Sequence, residues 1–192
     1  MTDFGFYFKL GWDHIMSIDA LDHILFVFVL AAIYMLKDWK QVLILVTAFT
    51  IGHSITLALS TLNIIQVSSK WVEFLIPCTI VFTAVSNLFY KNFTRKTIHF
   101  NYFLALFFGL IHGLGFANNL RFMLAHDQSL GWSLFGFNVG LEAGQIVIVF
   151  VILLLAQVFI QLINVARRDW VLFVSAAIFS LALKMALERF PQ

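Results

Sequence analysis

The sequence predicts an all-α membrane protein: a bundle of about six transmembrane helices, preceded by a short helix at the membrane interface. Two observations carry this prediction. Hydrophobic residues make up 61% of the 192 residues and charged residues only 11%, whereas roughly a quarter of an ordinary soluble domain is charged. In addition, the stretches 41–69, 74–90, 97–120 and 143–166 contain no Lys, Arg, Asp or Glu, and each is near or above the ~20 residues that cross a bilayer.

The elements follow from these stretches in order. Residues 3–17 are aromatic but carry Asp3, Lys9, Asp13 and His14, a composition typical of a helix that lies in the interface. Six spans then follow, at about 20–36, 41–62, 71–90, 100–124, 132–163 and 169–187. The runs are too long and too continuously apolar for barrel strands. We therefore expect a single transmembrane domain over residues 1–192.

Charge and cysteine content exclude several function classes. The net charge is +2 and no basic stripe follows the chain, so a nucleic-acid partner is not expected. Cys78 is the single cysteine, which excludes a disulfide framework and a cysteine-based zinc site. Seven of the twelve Lys and Arg fall in the first, third and fifth loops, and by the positive-inside rule both termini then face outward.

The first candidate site lies in residues 17–24, SIDALDHI. Asp19, Asp22 and His23 have the spacing i, i+3 and i+4, which places the three side chains on one face of a helix. An ionisable side chain at membrane depth costs on the order of 2.5–3.5 kcal/mol, so such residues are functional candidates. A structural alternative stays open, in which Asp19 caps the helix and Asp22 favours its positive end.

Two histidines form the second candidate. His53 and His112 each lie about twelve residues into a predicted span, a depth of roughly 18 Å and close to the bilayer midplane. A single histidine at this depth can instead hydrogen-bond neighbouring helices together. Two of them at one depth, with carboxylates on other spans, favour a ligand role.

Glu142 is the third candidate. Asn138, Glu142 and Gln145 lie within about 60° of one another on a helix, while glycines at 136, 140 and 144 form a seam on the opposite side. A carboxylate at that depth needs a cation or a proton. We expect Glu142, supported by Asn138 and Gln145, to line one outward-opening cavity together with the histidines and Asp22. Bridging between helices by the two amides is the structural alternative.

Imidazole and carboxylate ligands without a thiolate suit Ni²⁺, Co²⁺, Zn²⁺ or Fe²⁺ better than Cu⁺. The residues that could supply them sit in five motifs, which resemble those of the HupE/UreJ family of small membrane proteins in its shorter second branch. The matching stretches are 11–15 (GWDHI), 22–26 (DHILF), 47–58 (TAFTIGHSITLA), 112–117 (HGLGFA) and 136–142 (GFNVGLE).

The resemblance implies a multi-pass protein of the bacterial inner (cytoplasmic) membrane with a nickel or cobalt permease role. It also implies that the Asp-His motif of the first span contacts the metal. The family's first motif resembles a His, five residues and then Asp-His, whereas here seven residues separate His14 from Asp22, and Met16 stands at the family's His position. Either His14 reaches the site through a break near Ser17, or Asp19 substitutes for it.

The leading hypothesis is therefore a permease that passes a divalent transition metal, preferentially nickel, along a central His/carboxylate path. The chain has no Walker-type motif, so a gradient, a potential or an external partner must drive transport. Its expected partners are the metal ion and the bilayer, with a second copy of the chain or a metalloenzyme-maturation protein as further candidates.

Two alternatives stay open. One is a membrane-embedded zinc hydrolase, in which His23, His53 and His112 hold Zn²⁺ and Glu142 or Asp22 acts as general base. The other is haem ligation by His53 and His112 in an electron-transfer subunit.

Overall fold

The computed structural model describes residues 3–89, 95–124 and 130–191, and in these ranges every regular element is a helix. The fold is all-α, as predicted. The helices are α1 (Asp3–Met16), α2 (Leu21–Ala31), α3 (Trp39–Thr61), α4 (Ser69–Phe89), α5 (Arg95–Leu124), α6 (Leu130–Gln157) and α7 (Arg167–Glu188), with short 3₁₀ turns at Ile18–Ala20 and Leu36–Asp38 and a π-helical end to α6 at Val158–Leu162.

Four helical segments of the described ranges are long and apolar enough to cross a membrane: Leu36–Thr61, Ser69–Phe89, Gly131–Leu162 and Arg167–Glu188. Helices α1 and α2 meet the same criterion only together, as a pair bent by 71°. In α5 the apolar part that is described, Asn101–Ala117, is shorter than a span. The membrane-protein class is thus confirmed, whereas the predicted count of six spans is not established by these lengths.

The N-terminal helix α1 packs lengthwise against α6, so that Phe4 contacts Phe135 and Ile15 reaches Gly144. Its location at the membrane interface stays a prediction. The predicted glycine seam allows this approach, because a Cβ at Gly140 would overlap the backbone carbonyl of Phe8. Small residues let helix backbones come close inside a membrane, where packing and not the hydrophobic effect holds helices together.

The first predicted span, at 20–36, is shorter than expected because the chain breaks on both sides of it. Helix α2 begins after the bend at Ser17–Ala20 and ends at Ala31, eleven residues later. Asp22, the second residue of α2, therefore lies in the first turn after the bend and not further along a continuous helix. The bend is the feature of the fold that positions the candidate site.

The remaining helices pack in pairs around this bent segment. Helices α3 and α5 run side by side in the same direction, and Gly113 permits the contact because a Cβ there would overlap the carbonyl of His53. Helices α4 and α7 are antiparallel: Asn87 reaches Ser175, and Phe74 contacts Phe190 near the other end. The main hydrophobic core lies between these pairs and α2 and includes Phe26 and Phe49.

Candidate metal centre

Three histidines from three helices converge at the bend. His14 comes from the last turn of α1, His23 from the first turn of α2 and His53 from the middle of α3. Each offers a ring nitrogen, and these three atoms all lie within 4.8 Å of one another. Nitrogens that share one ion through bonds of about 2 Å lie roughly 3–4 Å apart, so the three rings stand at or slightly outside the spacing that one bound ion requires.

Four ring nitrogens of this cluster are without a hydrogen-bond partner among the described residues. His14 Nε2, His23 Nε2 and both ring nitrogens of His53 are buried, and none has a hydrogen-bond partner among the described residues. His53 is fully buried and His23 is only 4% exposed. Because buried polar atoms are nearly always satisfied, an unpartnered set at one place indicates a bound ion or water.

Asp22 orients His23. Its Oδ1 lies 3.0 Å from His23 Nδ1 and also accepts the backbone N–H of His23 at 2.9 Å. When Nδ1 carries the proton and donates it to this carboxylate, Nε2 is left with its lone pair facing the cluster. A carboxylate that fixes a ligating histidine in this way is a common arrangement around protein-bound metals.

The walls of the cluster are largely aromatic. Phe116 packs against His14 with ring centroids 4.0 Å apart, and Phe137 stacks on His53 at 6.2 Å. His112 is fully buried next to the cluster, with its ring centroid 5.0 Å from that of His23, and its Nε2 lies 3.3 Å from Thr79 Oγ1. Its Nδ1 has no partner among the described residues.

A cavity of about 440 Å³ leads to the histidines. It is lined by His14, His23 and His112 and by charged side chains, namely Asp13, Asp22, Glu73 and Arg189. Asp13 and Glu73 are exposed, whereas Asp22 is 7% exposed. The three carboxylates outnumber the one guanidinium, so the cavity attracts cations.

Comparison with sequence models of protein families shows which family the chain belongs to. The sequence model of the family described as HupE / UreJ protein matches residues 1–189. The chain belongs to the HupE/UreJ family. This family is associated with nickel and cobalt transport. Comparison with curated proteins and with solved structures finds no match.

Two residues of this HupE/UreJ chain, His14 and Asp19, are candidates to complete the site of the first span. The break near Ser17 exists, and through it His14 reaches His23, with ring centroids 4.7 Å apart. The side chain of Asp19, the other candidate, lies outside the described residues. Asp22 orients His23 and is not one of the three residues whose ligand atoms converge.

Glu142 is not brought to the histidines. Its Oε1 accepts a hydrogen bond of 2.6 Å from Thr47, and it does not line the cavity. Gln145 accepts a 2.9 Å hydrogen bond from Thr50, which lies one turn from His53 on α3. Asn138 donates to the carbonyl of Leu134 at 2.9 Å and leaves its own Oδ1 unpartnered. The hydrogen bonds of Glu142 and Gln145 thus join α3 to α6, whereas that of Asn138 stays within α6.

Sequence reasoning missed Arg189 of the HupE/UreJ chain. Its Nη1 lies 3.1 Å from Asp22 Oδ2 and its side chain is 32% exposed. A local motif could not reveal this pair, because the two residues stand at opposite ends of the sequence. Asp13 and Glu73 also line the cavity. The sequence places Asp13 only in the interfacial helix, and it makes Glu73 a weaker candidate, because a position at the outer end of a predicted span explains a carboxylate without a functional role.

Proposed function

We propose that this HupE/UreJ chain is a membrane permease for a divalent transition-metal ion, with nickel as the first candidate substrate. In this proposal His14, His23 and His53 form the substrate site. The observation that supports it is the set of unpartnered, buried ring nitrogens within 4.8 Å of one another, reached by an acidic cavity. Imidazole nitrogens suit Ni²⁺, Co²⁺ and Zn²⁺, and they do not suit Mg²⁺ or Ca²⁺.

The proposed path begins in the cavity. Asp13 and Glu73 attract a hydrated cation, and the histidines then replace part of its water shell. Ligands that carry no charge hold a divalent ion exchangeably, which transport requires because the ion must also leave. His112, adjacent to His23, is a second position along the same path.

We further propose that both termini face outward across the bacterial inner membrane, in a topology of six crossings that counts α1 and α2 as one broken span. Arg189 follows α7 and Glu73 begins α4, so the mouth of the cavity lies on the side of the C-terminus. In this orientation the cavity opens to the outside. The driving force is then a gradient, a potential or an external partner, since the sequence has no nucleotide-binding motif.

Uptake into liposomes tests the proposal. Purified protein is reconstituted around an indicator dye, and Ni²⁺, Co²⁺, Zn²⁺ and Fe²⁺ are added outside in turn. We expect wild-type protein to admit Ni²⁺ faster than empty liposomes, and His23→Ala to reduce this rate to the background. The matched control is Lys184→Gln, which alters an exposed residue of α7. Wild-type protein that moves none of the four metals contradicts the proposal.

A zinc hydrolase is the second candidate, because three histidines facing a cavity also resemble a catalytic zinc site. Such an enzyme needs a carboxylate free to accept a proton from metal-bound water. The two bases named for it are engaged, Asp22 by His23 and Arg189, and Glu142 by Thr47. A hydrolase would therefore have to use Asp13 or Glu73, the exposed carboxylates of the cavity, as its base. A tightly held, stoichiometric zinc ion after purification would favour the enzyme instead.

A further inference from the structure

The second oxygen of Asp22 is held by a cation that belongs to the protein. Arg189 Nη1 donates to Asp22 Oδ2 over 3.1 Å, while Oδ1 faces the ring and backbone N–H of His23. The Asp22 side chain is 10% exposed and the Arg189 side chain 32%. A positive charge thus contacts the carboxylate that orients His23, and it lines the same cavity as His14 and His23.

Arg189 is positioned by the end of α7. Its backbone N–H donates to the carbonyl of Met185 at 3.0 Å, and the next residue, Phe190, packs edge-on against Phe74 of α4 with ring centroids 5.3 Å apart. These contacts fix the backbone of the C-terminal segment at the cavity mouth. The guanidinium itself is carried on a long, flexible side chain.

A second carboxylate besides Asp22, that of Glu73, lines a cavity together with Arg189. A neighbouring cavity of about 410 Å³ is lined by Arg189 together with Lys70, Glu73 and Glu188. Glu73 also lines the first cavity, so it stands at the boundary between the two. The guanidinium therefore has both space and a carboxylate available when it leaves Asp22.

We propose that Arg189 is a resident counter-cation that competes with the substrate metal for the negative charge of Asp22, and so sets the affinity and charge selectivity of the site. A divalent ion on the histidines and a guanidinium on Asp22 repel each other strongly, because a buried site screens charge poorly. A divalent ion brings two positive charges to the site and so compensates Asp22 for the loss of the Arg189 contact, whereas a monovalent cation brings only one. The same repulsion keeps divalent binding weak enough for release.

This inference deepens the proposed function and rests on it. The opposite role for an arginine at this place is to hold Asp22 in position for His23. The two roles predict opposite changes in metal affinity when the charge of Arg189 is removed. Competition predicts tighter metal binding once the charge is removed, and positioning predicts weaker binding. Asp22 keeps its two contacts to His23 in either case.

The test measures Ni²⁺ affinity by titration calorimetry on the full chain in detergent, with wild type, Arg189→Gln and Arg189→Lys. We expect Arg189→Gln to bind Ni²⁺ at least about tenfold more tightly and to release it more slowly to a chelator, since one nearby positive charge is gone. Arg189→Lys keeps the charge and should stay within about threefold of wild type. Lys184→Gln is the matched control, because it removes an exposed positive charge from the same helix.

A second measurement separates charge competition from a general disturbance of the C-terminal segment. In an Asp22→Asn background the contested carboxylate is absent, so adding Arg189→Gln should change Ni²⁺ affinity less than it does in wild type. Arg189→Met, which preserves the packing of the aliphatic stem, replaces Arg189→Gln if the latter does not fold. Equal or weaker Ni²⁺ binding by the charge-removed variant overturns the inference while the proposed function stands. Wild-type protein that binds no Ni²⁺ overturns both.

Discussion

His14 and His23 face each other across the bend between α1 and α2, with ring centroids 4.7 Å apart and ring planes at 73°. On one straight helix these two residues would lie on opposite faces, separated by about 13 Å along the axis. The 71° bend is therefore what makes them neighbours. Broken helices at membrane depth are tolerated where they line a cavity, and here the bend lines the cavity that leads to the histidines.

The convergence of these rings predicts the effect of removing one. His14→Ala should weaken Ni²⁺ binding by at least about tenfold, because it deletes one of three nitrogens that an ion can contact together. Titration of purified protein measures this. Ile18→Ala is the control, since that side chain belongs to the same bend and is 84% exposed. Unchanged affinity in His14→Ala would show that the ion does not bind at the bend.

The sequence was sufficient to predict the apolar helices and two of the three converging histidines. Uncharged runs mark α3 and α6 directly, and His53 stands out as a polar residue in the middle of one of them. The break at residues 17–20 could be anticipated only as one of two alternatives, because the segment contains neither Pro nor Gly. The packing of α1 on α6 accompanies this bend, and it is a tertiary contact that a local sequence pattern does not reveal.

The placement of Glu142 shows a second limit of prediction from the sequence. Helical spacing groups Asn138, Glu142 and Gln145 on one side of α6, but depth alone could not say which residue of another helix each one meets. In the structure Glu142 pairs with Thr47 and Gln145 with Thr50, so hydrogen bonds between helices use these side chains. The contact between Asp22 and Arg189 has no sequence signal either, since it joins the two ends of the chain.

Asp22 should act on the metal through His23. Replacing it in Asp22→Asn keeps an oxygen near His23 but removes the negative charge, so His23 becomes a poorer ligand and the cavity attracts cations less. We expect Ni²⁺ affinity to fall by about 10–100-fold, measured by the same titration. Asp169→Asn, which removes an exposed carboxylate from the first turn of α7, should have little effect. Equal affinities in the two variants would deny Asp22 this role.

Glu142 should not contribute to equilibrium binding at the cluster. Its carboxylate is engaged by Thr47 at 2.6 Å and does not line the cavity, so Glu142→Gln is expected to keep Ni²⁺ affinity within about twofold of wild type. Thr47→Val tests the same contact from the other helix and should also leave binding intact. A loss of tenfold or more in Glu142→Gln alone would return this residue to the metal site.

The last prediction concerns the packing that holds α1 in place. At Gly140 any side chain would overlap the backbone of α1 at Phe8, whereas Gly131, near the start of the same helix, has open space around it. Gly140→Leu must therefore force α1 away from α6, and overpacking of this kind costs about 1–3 kcal/mol or more. Gly131→Leu introduces the same side chain without that clash.

Thermal unfolding in detergent compares the two variants. We expect Gly140→Leu to lower the unfolding temperature and the yield of monodisperse protein clearly, and Gly131→Leu to leave both near wild type. Since α1 carries His14 to the cluster, the folded fraction of Gly140→Leu should also bind Ni²⁺ more weakly than wild type. Equal stability of the two variants would mean that α1 does not pack on α6 through the glycine seam, and the position of His14 would then need another explanation.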